Sequence, residues 1–147
     1  MGNSSSSPSS RGCTVCDEGQ EYVRNLIIHD NPLHDVSMTE AYWIYKSVGK
    51  NNFHRFLEFK FKCRNCDFSK IVRTDKTKIR RTREGKKNIC SSDRFFEQYG
   101  LWHWRKVPKY HYTINDLITY INVATDGYNL YNNNCRYYAK YILDKII

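Results

Sequence analysis

The stretch Phe53-His54-Arg55-Phe56-Leu57-Glu58-Phe59-Lys60-Phe61-Lys62-Cys63 alternates with a period of two. Leu57, Phe59, Phe61 and Cys63 fall on one side of an extended chain, and His54, Phe56, Glu58, Lys60 and Lys62 on the other, which predicts a half-buried β-strand. Upstream, Tyr42, Trp43, Ile44, Tyr45 and Val48 cluster ahead of the turn residues Gly49, Asn51 and Asn52, so a second strand is expected over 41–48. Downstream, 68–74 is expected to return as a hairpin partner. The following run, 75–87, holds Lys76, Lys78, Arg80, Arg81, Arg83, Lys86 and Lys87 with almost no apolar residue, and reads as a solvated loop whose end Gly85 marks. Trp102, Trp104 and Val107 suggest a further short strand broken by Pro108.

Helical periods follow. Thr113 and Asp116 form a capping box ahead of Ile114, Leu117, Ile118 and Ile121, and this helix is expected to stop near Asp126-Gly127. A last helix opens at Asn132-Asn133-Asn134, whose amides are good caps, and carries Ala139, Ile142, Leu143 and Ile146 on one stripe. Strands first and helices last predict an α+β domain, a small antiparallel sheet with C-terminal helices packed on it.

The size of the chain, 147 residues, suits one core. Residues 1–11 are Ser-rich and lack apolar periodicity, so they are expected to form a flexible arm ahead of a single domain over 12–147. The aromatic share of 15% includes 12 tyrosines, which places hydroxyls at the rim of the core. A net charge of +9 favours an anionic partner: a lipid surface, nucleic acid or an acidic protein. No apolar run is long enough to span a bilayer and no export signal is visible, so a cytoplasmic, reducing location is expected, with the 6 cysteines serving as thiols, metal ligands or a nucleophile.

With Asn134 as cap, Cys135 stands in the first turn of the last helix, where unpaired amides and the helix dipole favour a thiolate. A lone helical cysteine is more commonly a small buried apolar residue. The words around this one add to the case. Tyr131-Asn132-Asn133-Asn134-Cys135-Arg136-Tyr137-Tyr138-Ala139 resembles the Asn-Cys, two-spacer, aromatic-Ala motif of circularly permuted papain-like thiol enzymes, a group that includes the lecithin retinol acyltransferase-like proteins and relatives of the NlpC peptidases. The resemblance implies a catalytic His upstream on a strand and a nucleophilic Cys near the C-terminus. His54, at the start of the alternating strand, matches that order as the base of Cys135. His103, between Trp102 and Trp104, competes with it, while His29, His34 and His111 rank lower. The polar group that would orient the imidazole has no assignment from the sequence. The implied activity is cysteine peptidase, amidase or acyltransferase chemistry on an acyl or peptide substrate.

Two C-x-x-C pairs, Cys13 with Cys16 and Cys63 with Cys66, together could supply the four thiolates of a structural zinc site. Reduced thiols and a redox pair are the alternatives, and metal analysis of protein made without chelator separates them. Cys90 is left over as a structural or exposed thiol. The start Met1-Gly2-Asn3-Ser4-Ser5-Ser6 fits N-myristoylation at Gly2, and the basic run 76–87 supplies the second signal that a single acyl chain needs to hold an anionic membrane surface. Unequal vesicle binding by wild type and Gly2→Ala is the expected sign of the anchor. Two competing readings stand: a non-enzymatic, zinc-stabilised basic module that binds nucleic acid or another anion, and an inactive relative that keeps the fold as a scaffold.

Overall fold

The computed structural model describes residues 23–24, 36–49, 52–93, 102–129 and 134–147. The N-terminal arm with Gly2, the first cysteine pair, Cys13 and Cys16, and the histidines His29 and His34 lie outside the described residues. The expected α+β class is observed: strands β1 (Val36–Gly49), β2 (Asn52–Cys63), β3 (Ser69–Lys78), β4 (Gly85–Ser92) and β5 (Trp102–Lys106), then helices α1 (Ile114–Val123) and α2 (Cys135–Ile146). The strands form one five-stranded antiparallel sheet in the order β4-β3-β2-β1-β5.

The decisive alternation sets the layers. Leu57, Phe59 and Phe61 pair across the sheet with Trp43, Ala41 and Met38 on one side and, for Leu57 and Phe59, with Thr74 and Val72 on the other. Cross-strand partners share a face, so these side chains, with Ile89, make an apolar floor. Onto it pack Leu117, Ile118 and Ile121 of α1 and Tyr138, Ala139, Ile142 and Ile146 of α2. The predicted stripes of both helices are therefore their core faces. Thr113 caps α1 with the expected reciprocal box, Thr113 N–H donating to Asp116 Oδ2 at 2.9 Å and Asp116 N–H to Thr113 Oγ1 at 3.2 Å. The helix ends at Val123, a few residues before the expected stop.

The opposite face of β2 departs from expectation. Phe56 and Glu58 are fully buried there rather than solvated, with Arg73 stacked on the Phe56 ring at 3.7 Å and standing directly across from Glu58. Periodicity separates the two faces of a strand and leaves open whether the second is also covered.

The basic run is the larger correction. It is a hairpin, not a loop: β3 continues to Lys78 and β4 begins at Gly85, with only the tip around Arg81, at φ 64°, turning. Lys76 is 1% exposed, and its ammonium donates to the Thr125 carbonyl at 2.6 Å. Its aliphatic stem passes so near the β4 backbone that a Cβ on Gly85 would lie 2.3 Å from Lys76 Cε, so a side chain at this position would displace the lysine. Lys87 donates to the Ala124 carbonyl and pairs with Asp126, each at 2.7 Å. Lys78, Arg80, Arg81, Arg83 and Lys86 are exposed or half-exposed, as expected. Cys90, expected as a structural or exposed thiol, is buried and disulfide-bonded. Among the described residues no helix is long and apolar enough to cross a membrane.

Candidate active site

β2 and β3 part company at the pair Phe56–Asp75. Residues Asn52 to Arg55 continue along β1 alone, and Lys76 to Lys78 along β4 alone. The amide of Arg55, one position before the ladder with β3 begins, is thereby left for another acceptor. The connection between α1 and α2 is drawn toward this opening by the hairpin tip: Tyr128 N–H donates to the Arg83 carbonyl at 2.8 Å and Gly85 N–H to the Asp126 carbonyl at 2.7 Å, while Glu84 and Gly127 form an isolated bridge. The N-terminus of α2 thus meets the open end of β2.

The cap is as expected. Asn134 has extended backbone, and its side-chain oxygen accepts from the amides of Arg136 at 3.0 Å and Tyr137 at 3.2 Å. Cys135 then occupies the first helical position, 8% exposed. Its sulfur hydrogen-bonds with His54 and accepts from the Arg55 backbone amide. Burial pushes the thiol up, but the His54 interaction and the Arg55 amide outweigh it, so Cys135 titrates below an ordinary cysteine.

His54 is held from its other side. Its Nε2 lies 2.7 Å from Asp75 Oδ2, which leaves Nδ1 for the thiol. Burial opposes protonation of the ring. The Asp75 and Cys135 hydrogen bonds more than offset that, and the pKa rises to about 9. Asp75 is 5% exposed and is fixed by Asn88, whose side-chain amide donates to Oδ1 at 2.9 Å. Burial alone would raise its carboxyl; His54, with Arg73 and Asn88, holds it below the usual carboxylate range.

Asp75 is the orienting group that the sequence leaves unassigned. It lies inside the run that charge alone places in a loop. Carrying the partner strand one residue past Thr74 sets Asp75 opposite Phe56, diagonal to His54 on the same face. The last member of the cluster is Tyr128, whose hydroxyl accepts from the Cys135 amide and lies against the sulfur; burial and the neighbouring thiolate push its pKa up. Tyr45, Phe53, Arg55, Arg136 and Tyr128 line a cavity of about 290 Å³ that opens beside Cys135 and Asn134.

Of the other histidines, His103 sits on β5 opposite Ile44, with β1 between it and β2, and His111 is exposed. Cys63 and Cys66 lie at the end of β2 and in the turn after it. Cys63 is buried and Cys66 exposed, with Asn65 N–H donating to Cys63 Sγ at 3.3 Å and Phe68 N–H to Cys66 Sγ at 3.5 Å. Two sulfurs with amide donors suit half of a tetrahedral thiolate site. Among the described residues, no group of three or more His, Cys, Asp or Glu side chains could hold a metal ion. The four-thiolate zinc site expected from the sequence is therefore not found there: Cys63 and Cys66 alone are too few ligands, and Cys13 and Cys16, the expected other half, fall outside the described residues. Comparison with protein families, curated proteins and solved structures finds no match to this chain.

Proposed function

We propose that the protein is a thiol-dependent acyl-transfer enzyme with Cys135 as nucleophile, His54 as general base and acid, and Asp75 as the group that orients the imidazole. The observation that carries this reading is the continuous contact from Asp75 through His54 to the Cys135 sulfur at a capped helix start. A buried structural cysteine has no need of an imidazole, a carboxylate and a backbone amide converging on it. The base-bearing strand precedes the nucleophile-bearing helix, which supports a permuted papain-like arrangement.

In this mechanism the thiol proton resides on His54, and the thiolate attacks an acyl carbon, forming a C–S bond. The carbonyl oxygen becomes an oxyanion. Asn134 already occupies the amides of Arg136 and Tyr137, so the oxyanion falls to the Cys135 amide, with the Tyr128 hydroxyl beside it as second donor once it turns away from that amide. Collapse breaks the bond to the leaving group, which takes the proton from His54. Water, an alcohol or an amine then gives its proton to His54 and attacks the thioester; the C–S bond breaks and the thiolate returns. Hydrolysis makes a peptidase or amidase, and transfer to another acceptor makes an acyltransferase.

The test is covalent labelling by a thiol-directed acyl probe, located by peptide mass spectrometry. Wild type is expected to label at Cys135, His54→Ala to lose most of that labelling, and Cys135→Ala all of it with the fold retained. A wild type in which the probe labels Cys66 and not Cys135, or a His54→Ala variant that labels at Cys135 as wild type does, refutes the assignment.

A further inference from the structure

The cavity beside Cys135 does not end there. Arg55 and Arg136 also line an adjoining cavity of about 380 Å³, with Trp43, Trp104, Lys106 and Lys140 among its walls. The two cavities share Arg55 and Arg136 as walls, one holding Cys135 and the other running by the exposed flank of α2. Their charge is unbalanced. Four cations line them against a single carboxylate, Asp144, and that carboxylate is already paired with Lys140 at 2.7 Å. Among the described residues neither Arg55 nor Arg136 has an acidic partner.

Arg55 is also held in place. Its guanidinium lies 4.3 Å from the centroid of Tyr45 and 5.4 Å from that of Trp43. Stacking on a ring fixes the plane of a guanidinium while its N–H edge stays free to grip an oxyanion in bidentate fashion. Arg136 follows Cys135 directly, and both arginines line the same cavity as the sulfur.

Resting on the acyl-transfer reading of Cys135, we infer that the enzyme selects acyl substrates bearing an anionic group, a carboxylate or a phosphate, close to the scissile carbonyl, with Arg55 and Arg136 as the residues that bind it. The aromatic floor beyond them receives the apolar remainder of the substrate.

The test compares turnover of the 4-nitrophenyl esters of N-acetylglycine, N-succinylglycine and N-phosphonoacetylglycine. The last two carry the carboxylate and the phosphonate and so distinguish the two sources of charge. Wild type is expected to favour at least one anionic ester over the neutral one by about tenfold in kcat/KM, chiefly through KM, as befits a charge-assisted contact. Arg55→Gln combined with Arg136→Gln is expected to bring the ratio of kcat/KM between each anionic ester and the acetyl ester, read within the variant, to within about twofold of one. Arg55→Lys, which keeps the charge and loses the fork, retains part of it. Equal treatment of all three esters by wild type, or an equal loss on all three in the double variant, overturns the inference. Turnover that depends on Cys135 but ignores charge leaves the acyl-transfer reading standing and sinks only this one; absence of any Cys135-dependent turnover sinks both.

Discussion

The two nitrogens of His54 are divided between a carboxylate and a thiol, and that division sets the pH behaviour. His54 has a folded pKa raised from 6.5 to about 9, so its contribution to stability is complete below the lower value and is lost as pH rises through the higher. Cys135 is lowered, so its contribution is present above the ordinary thiol value and is lost as pH falls through the depressed one. The thiolate-imidazolium pair is therefore populated between those limits, and the alkaline limb of activity is expected near pH 9. Asp75→Asn should move that limb to lower pH, because the main group raising the imidazole is gone, and should lower kcat by about 10-fold to 1,000-fold. An unchanged alkaline limb in this variant would remove Asp75 from the mechanism. Cys135 and Asn134 were legible in the sequence because their signals are local, a cap and a helix start, whereas His54 was singled out through the resemblance and its alternating strand. Asp75 was not legible, since it sits in a charge run that reads as solvated, although Lys76 and Lys87 within it find partners far along the chain.

Among the elements, the two helix caps separate stability from chemistry. Thr113 caps α1 and Asn134 caps α2, each with side-chain bonds to first-turn amides. Thr113→Ala and Asn134→Ala should each cost about 1 kcal/mol in denaturant unfolding. Only Asn134→Ala should also raise the pKa of Cys135 and slow acyl-probe labelling, since it frays the turn that carries Cys135. Equal labelling by both variants would mean that the cap does not position the sulfur. Both helices and their stripes were legible from period and caps. The β3–β4 hairpin was hidden because Lys76 and Lys87 resemble solvated cations in sequence, yet their ammonium groups reach the carbonyls of Thr125 and Ala124 across the molecule. A lysine stem buries well wherever its head finds acceptors.

Across the whole molecule, the sheet is built to come apart at one point. The ladder between β2 and β3 ends at Phe56–Asp75, the hairpin tip ties down the connection between the helices, and the start of α2 fills the opening. The strand-then-helix order was enough to place helices on an antiparallel sheet; where that sheet splays depends on register, which composition does not carry. All of this geometry bears on the ionisation of one sulfur. Cys66 is an internal reference: it is exposed, and although the Phe68 amide favours its thiolate, the adjacent Cys63 and Asp67 leave its pKa raised. The most direct measurement is the alkylation rate of Cys135 against that of Cys66 by iodoacetamide in metal-free buffer, followed from acid to alkaline pH by peptide mass spectrometry. The prediction is that Cys135, although buried, reacts ahead of Cys66 at neutral pH with a midpoint below the ordinary thiol value of 9.0, and that His54→Gln moves this midpoint upward. A Cys135 that titrates at or above that value in the wild type, with Cys66 reacting first, would contradict the account.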